Sequence, residues 1–278
     1  MSKITCLVDN AARRSTAFWA EHGLSFCVER GGARLLWDTG QSGEVLRHNL
    51  ALAGLGPEHF DALALSHAHY DHTGGLAFIL RERPGLPLYA HRDLLTPRFS
   101  LRDGEYRSIG MGMSPEEVSA QADLRLSAAP QEIFPGLWTS GEIVERSEPE
   151  GRSAHHFIRR GDRWLPDPYR DDMSLVLETT EGVVLLCGCC HAGLLNTLAH
   201  VRQHFGKPIQ AVLGGTHLAS AGETYLAHVV SVLQKHYGGM HYYLNHCTGE
   251  NAFAALWKAF GAERVHAFPA GDEVSFGD

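Results

Sequence analysis

Ser66-His67-Ala68-His69-Tyr70-Asp71-His72 is the stretch on which the reading of this chain turns. It follows Asp61 to Leu65, a compact apolar run that predicts a strand. It precedes Thr73-Gly74-Gly75, from which a helix is predicted to run to about Arg83, where Pro84-Gly85 stops it. One tight loop at the end of a strand thus offers three imidazoles and a carboxylate. Any single histidine among the 18 in the chain is by default a solvated side chain. Four such groups in one short run, framed by strand, glycines and helix, point instead to a metal loop. Neutral imidazole and carboxylate suit Zn²⁺, Fe²⁺ or Mn²⁺, and dividing the donors between two neighbouring ions accounts for their density. The glycines let backbone approach closely, and the helix N-terminus behind them favours negative charge.

Upstream, Ile4 to Val8, Ser25 to Glu29 and Arg34 to Trp37 read as strands. The last two turn through Gly31-Gly32 and form a hairpin expected on the edge of a sheet. Val45 to Ala53 spaces its apolar residues as a helix. Residues from about 92 to 165 are rich in Gly, Pro, Ser and charge, with only short strand-like runs such as Gly136 to Ser140. They read as an elaborate insertion that walls the active site. Regular pattern returns at Ser174 to Thr179 and Val183 to Cys187, a hairpin across Glu181-Gly182, followed by a helix over Leu194 to Phe205. Strands are predicted at Gln210 to Leu213, His241 to Leu244, Val265 to Phe268 and Glu273 to Phe276, and helices over Tyr225 to His236 and Ala252 to Phe260. The length fits one large domain or two small ones, and this order predicts an α/β fold of two mixed sheets face to face with helices outside, a four-layer αββα sandwich in which each sheet buries both faces.

With 278 residues, 44% hydrophobic and 20% charged, the chain is long enough for a sizeable core. The start is too poor in apolar residues for a signal peptide, and no uncharged apolar run is long enough to span a bilayer, so a soluble cytoplasmic protein is expected. A formal charge of −8 disfavours a nucleic-acid partner. Cysteines stand at 6, 27, 187, 189, 190 and 247, unlike the framework of a small secreted domain, and Cys187-Gly188-Cys189-Cys190 has no second pair to complete a structural zinc knuckle.

His67-x-His69-x-Asp71-His72 resembles the signature of the metallo-β-lactamase superfamily. Asp38-Thr39-Gly40, just after a strand, resembles its first motif, whose Asp buttresses the metal loop. More narrowly, Val8-Asp9-Asn10, Glu21 to Ser25, Asp38 to Ser42, Ser66 to Leu76, Gly188 to Gly193, Gly214 to Leu218 and Asn245 to Gly249 resemble the subgroup named for a dihydropterin and aminobenzene ribosyl phosphate synthase. The resemblance covers most of the chain outside 92–165 and implies the metallo-β-lactamase fold, in a single domain over 1–278.

His191 and His246, each just past a predicted strand, match the places where that family carries its later histidines. The implied assignment puts His67, His69 and His191 on one ion and Asp71, His72 and His246 on the other. The chain departs from the pattern at Cys189, where an Asp commonly bridges the two ions. A thiolate ligand there is one reading, and apolar packing is the preferred one. Asp172 is another late ligand candidate, with a cap or turn role preferred. His217 is expected either to touch substrate or to make a supporting hydrogen bond, and His22 is a weaker candidate for the same role. His200 and His204 are one helical turn apart but lack the Glu of a zinc-protease helix, so a solvated face is expected. His155-His156 lies in the predicted insertion, with pocket contact and plain surface both open.

Two adjacent cations lower the pKa of a shared water toward neutrality and polarise the oxygen under attack. The expected activity is therefore a metal-dependent hydrolase, with bridging hydroxide attacking a small ester, a phosphoester or lactone. Asp71 would orient the nucleophile and carry a proton, and His217 would stabilise charge on substrate oxygen. The cofactors expected are two divalent ions, zinc first and manganese or iron as alternatives. The partner is a small-molecule substrate, with no nucleic acid and no membrane. A pterin-linked phosphate synthase and a di-iron oxidoreductase are the competing readings.

Overall fold

In the computed structural model, which describes residues 1–277, the chain opens with strands β1 (Ser2–Val8), β2 (Ser25–Arg30) and β3 (Ala33–Trp37), then helix α1 (Gly43–Leu52). β4 (Ala62–Ala64) delivers the histidine loop, whose end forms one helical turn, α2 (Tyr70–Thr73), before α3 (Leu76–Glu82) and β5 (Leu86–Ala90). Next come β6 (Arg98–Arg102), β7 (Glu105–Ser108), α4 (Pro115–Gln121), β8 (Ala122–Leu126), β9 (Glu132–Phe134), β10 (Leu137–Thr139), β11 (His156–Arg160) and β12 (Arg163–Pro166). The remainder comprises β13 (Ser174–Thr179), β14 (Gly182–Cys187), α5 (Leu194–Phe205), β15 (Ile209–Gly214), α6 (Glu223–Tyr237), β16 (His241–Leu244), α7 (Glu250–Phe260), β17 (Val265–Ala267) and β18 (Glu273–Phe276).

Two seven-stranded sheets result, in the orders β18-β1-β2-β3-β4-β5-β8 and β17-β16-β15-β14-β13-β10-β9. Both are mixed: β3, β4, β5 and β8 run parallel, as do β14 to β17, and the other pairs are antiparallel. The alternation of side chains along each strand sorts the core into three apolar layers. Ile4, Phe26 and Trp37 meet Val184, Leu186 and Leu213 between the sheets. Leu7, Leu36 and Leu63 face the other way, onto Leu46 and Leu50 of α1 and Ile79 and Leu80 of α3. Leu185, Val212 and Tyr242 turn outward onto Leu198 of α5, Leu233 of α6 and Leu256 of α7. Each fully buried aliphatic side chain contributes about 1.5 to 3 kcal/mol, and together these layers make the four-layer αββα sandwich. On α5, Leu194, Leu195, Leu198 and Val201 recur at helical spacing, and Gly206 ends the helix in a left-handed turn at φ 63°. Among the described residues no helix is long and apolar enough to cross a membrane.

Three expectations are corrected here. The β2–β3 hairpin lies inside its sheet rather than on an edge, because β18, from the other end of the chain, pairs with β1. The stretch 92–165 is not one insertion. β8 extends the first sheet beside β5, and β9 and β10 extend the second beside β13. His200 is buried rather than solvated; its Nε2 lies 2.8 Å from the Ser140 carbonyl, which ties α5 to the end of β10.

What stands outside the two layers is a four-stranded antiparallel sheet, β12-β11-β6-β7. Arg98 of β6 fastens it. The side chain is 1% exposed, with its guanidinium 3.0 Å from Asp167 and 2.7 Å from Asp171. Asp171 in turn accepts the Ala68 backbone N–H at 2.9 Å, so the small sheet is tied to the loop between His67 and His69. Removing the guanidinium leaves two carboxylates buried without their cation. Arg98→Met should therefore lose about 3 to 5 kcal/mol of stability, read as a lowered midpoint in urea unfolding.

Candidate metal centre

Every polar residue singled out in the histidine loop sits at one edge of the sandwich, where strands of both sheets end. The loop is held from beneath by Asp38, which follows β3, is fully buried and adopts a left-handed backbone at φ 55°. Its Oδ1 accepts the Ser66 N–H at 2.7 Å, and its Oδ2 accepts the Ser66 hydroxyl at 2.7 Å and lies 2.7 Å from His72 Nδ1. Gly74 lets the two loops touch, since a Cβ there would collide with the Gln41 carbonyl.

These contacts set the tautomers. His72 Nδ1–H donates to Asp38, which leaves Nε2 as the ring atom that faces inward. His67 Nδ1–H donates to Ser66 Oγ at 2.8 Å, and the Ser66 hydroxyl in turn donates to Asp38 Oδ2. His246 Nδ1 lies 3.1 Å from Asn10 Oδ1, an oxygen that also accepts the Gly23 N–H at 3.2 Å. His191 Nδ1–H donates to the Gly151 carbonyl at 3.1 Å, and its Nε2 is buried without a partner. Such outer contacts are how metal-binding imidazoles are aimed.

The inward atoms converge. His72 Nε2 and His246 Nε2 are 3.2 Å apart, and the Cys189 sulphur is 3.2 Å from each. Asp71 Oδ2 lies 3.6 Å from His72 Nε2 and 3.4 Å from His246 Nε2. Asp71, His72, Cys189 and His246 form one group with donor atoms all within 4.8 Å; His67, Cys189 and His191 form a second. His69 stands beside them, outside both groups, with Nδ1 3.1 Å from His67 Nε2. Cys189, for which packing was preferred, has its sulphur among the donors instead. Lone pairs facing one another at about 3 Å repel unless a cation or proton lies between them, and imidazole, carboxylate and thiol form a set that fits divalent cations.

Electrostatics agree. Burial drives His67 and His191 well below the ordinary histidine range and His69 down to about 3, so all three are neutral, the form that binds metal. Burial also works against charge on His72, but Asp71 and Asp38 outweigh it and raise it to about 9. Burial opposes ionisation of Asp71, yet His72, His22 and His246 hold it well below the carboxylate range. This end of the site favours positive charge at His72.

Around the donors, Asp172 accepts the Ala192 N–H at 2.8 Å and so fastens the His191 loop, as Asp171 fastens the His67 loop. Tyr169 stacks on His191 with ring centroids 4.2 Å apart, and its hydroxyl is 2.6 Å from His156 Nδ1. His156 faces the His69 ring, whereas His155 is exposed. His22, half-exposed, reaches Asp71 Oδ2 at 3.3 Å. His217 lies against His191, ring centroids 4.3 Å apart, with Nδ1 buried and unpartnered. A cavity of about 210 Å³ opens there, lined by Gly151, Arg152, Gly193, His217, Ser220 and Tyr225 among others. Sequence reasoning missed Asp171, Tyr169, Gly151 and Cys247. Only the Asp171-Asp172 doublet before a strand carried a local signal.

Residues 19–192 match the profile of the metallo-beta-lactamase superfamily. Over 281 aligned residues the chain is 31% identical to 7,8-dihydropterin-6-methyl-4-(beta-D-ribofuranosyl)-aminobenzene-5'-phosphate synthase of Methanocaldococcus jannaschii, covering 95% of this chain and 94% of that protein. It is likewise 31% identical to an uncharacterized protein of the same organism over 257 residues, 91% of this chain and 93% of the other. The crystal structure of a metal-dependent hydrolase of the beta-lactamase superfamily aligns over 100% of both chains with a TM-score of 0.85 at 26% identity.

Two outcomes follow from the geometry. Asp38→Asn, which weakens the hold on Ser66 and His72, should lower metal affinity by about 10- to 100-fold, measured by competition with a chromogenic chelator. A cation at His72 must displace a proton held up to about pH 9, whereas one at His67 and His191 meets neutral rings. Displacing the His72 proton should make the affinity of the His72 group fall about tenfold for each unit the pH drops below that value, beyond the dependence both groups share through the Cys189 thiol. The His67 group should show only that shared dependence, and chelator competition at several pH values separates the two.

Proposed function

Because the chain belongs to the metallo-beta-lactamase superfamily and is an enzyme of its metal-dependent hydrolase type, we propose that it holds two divalent cations side by side and hydrolyses a small phosphoester. One observation carries this reading: the two donor groups share a single atom, the Cys189 sulphur. His67, His69 and His191 would hold one ion and Asp71, His72 and His246 the other, with Cys189 between them where a bridging carboxylate is commonly found. Zinc is the first choice, since a thiol at the hub favours a borderline-soft ion over manganese, and iron is the alternative. Bound there, the pair would supply Lewis acidity toward the substrate oxygen and a water acidified toward neutrality.

The chain's own residues do the rest. Asp71 Oδ2 would take a proton from the attacking water and hand it to the leaving oxygen as the phosphoester bond breaks, while His22 Nε2, 3.3 Å away, holds the carboxylate in place. His217, buried beside His191 with Nδ1 free of partners, donates to a substrate oxygen. The loop at 149–152 covers His191 and holds its ring through the Gly151 carbonyl. Beside His217, Arg152, ion-paired with Glu150 at 2.6 and 2.8 Å, and the start of α5 line a small polar cavity next to the site. The relative from Methanocaldococcus jannaschii, a 5'-phosphate synthase by name, supports a phosphate-bearing substrate ahead of a lactone. The same name favours a second reading, bond formation at this site rather than hydrolysis. All six cysteines are free, which suits a reducing cytoplasmic compartment.

The test is metal analysis of the purified protein together with a panel of phosphomonoesters, phosphodiesters and lactones. About two equivalents of zinc with phosphoester turnover are expected. Asp71→Asn should lower kcat by about 10² to 10⁴-fold with the fold retained. Two bound ions with a condensation product and no hydrolysis would move the assignment to a synthase, and the absence of any bound ion would overturn the ligand assignment.

A further inference from the structure

β14, β15 and β16 are parallel neighbours, and the chain leaves each at the same edge of the sheet. A few residues past these ends stand Cys189, His217 and Cys247. One donor atom from each lies within 4.8 Å of the others, a third group that neither of the proposed ion positions uses in full. Cys247 Sγ accepts the His217 backbone N–H at 3.3 Å and, as a thiol, donates to the Cys189 carbonyl at 3.6 Å. The room for this sulphur comes from Gly215, where a Cβ would stand 2.5 Å from it. The His217 imidazole supplies the independent observation, an Nδ1 that is buried and has no partner.

We propose that Cys189, His217 and Cys247 form a third, sulphur-rich cation site that takes a borderline-soft divalent ion such as Zn²⁺ and shuts the enzyme down when filled. Two thiolates and an imidazole are a preferred zinc donor set, with a fourth position left for water. Binding releases the proton of each sulphur that is still a thiol to solvent. The inhibitory part rests on the proposed dinuclear reading, whereas the site itself does not. A thiolate shared by two ions has little left for a third, so an ion on this group draws Cys189 away from the pair. It also occupies His217, removing the donor assigned to the substrate oxygen.

The experiment is zinc titration of the full chain by equilibrium dialysis, repeated with Co²⁺ to follow thiolate-to-cobalt charge transfer. Wild type should bind two equivalents and then a weaker third. Cys247→Ala, with Cys247→Ser as the size-preserving control, should lose the third equivalent and part of the charge-transfer intensity while keeping the first two. Excess zinc should lower wild-type turnover several-fold and affect Cys247→Ala much less. Saturation of wild type at two equivalents, or a third that survives in both variants, would overturn the proposal and leave the dinuclear reading standing. Failure to bind zinc at all would sink both.

Discussion

The arrangement depends on one buried carboxylate. Asp38 has no solvent around it, so its two oxygens must be satisfied by protein, and the available donors are the backbone and hydroxyl of Ser66 and the ring of His72. That requirement settles the conformation of the histidine loop before any cation arrives. Ser66 passes the same constraint on to His67, so two imidazoles on the two sides of the site take their orientation from a single side chain. Trp37, one residue earlier, is packed in the layer between the sheets, which makes the position of Asp38 a consequence of core packing.

Opposite Asp38, the doublet Asp171-Asp172 plays the complementary part. One carboxylate holds the backbone of the His67 loop and the next holds that of the His191 loop, so the first residues leading into β13 clamp both. Arg98 extends the clamp to the small sheet. Five residues other than glycine, namely Asp38, Tyr169, Cys190, His217 and His246, adopt positive φ in this same neighbourhood. Each such conformation costs on the order of 1 to 3 kcal/mol, and the three apolar layers behind the site offset it. Strain concentrated where donors converge is the expected mark of a site whose geometry is imposed by the fold.

Legibility in the sequence followed length and period. The interior strands of the second sheet and helices α5, α6 and α7 were readable because apolar residues cluster or recur there at strand or helix spacing. β8, β9 and β10 are only three to five residues long, and β8 and β9 are half-exposed, so their membership of the two main sheets was hidden inside what read as one insertion. His200 was misread for a related reason: α5 buries a wider face than its apolar stripe indicates, because β10 ends against it.

From the sequence alone, the donor types, their clustering after β4 and the family resemblance were determined, since these depend on local spacing and residue chemistry. The tertiary structure decided what each donor faces. That Cys189 stands among the imidazoles, that Asp172 holds backbone and that Cys247 meets His217 are facts about strands brought side by side from distant parts of the chain. No local pattern encodes which strand ends become neighbours; the packing of two sheets through a shared apolar layer does.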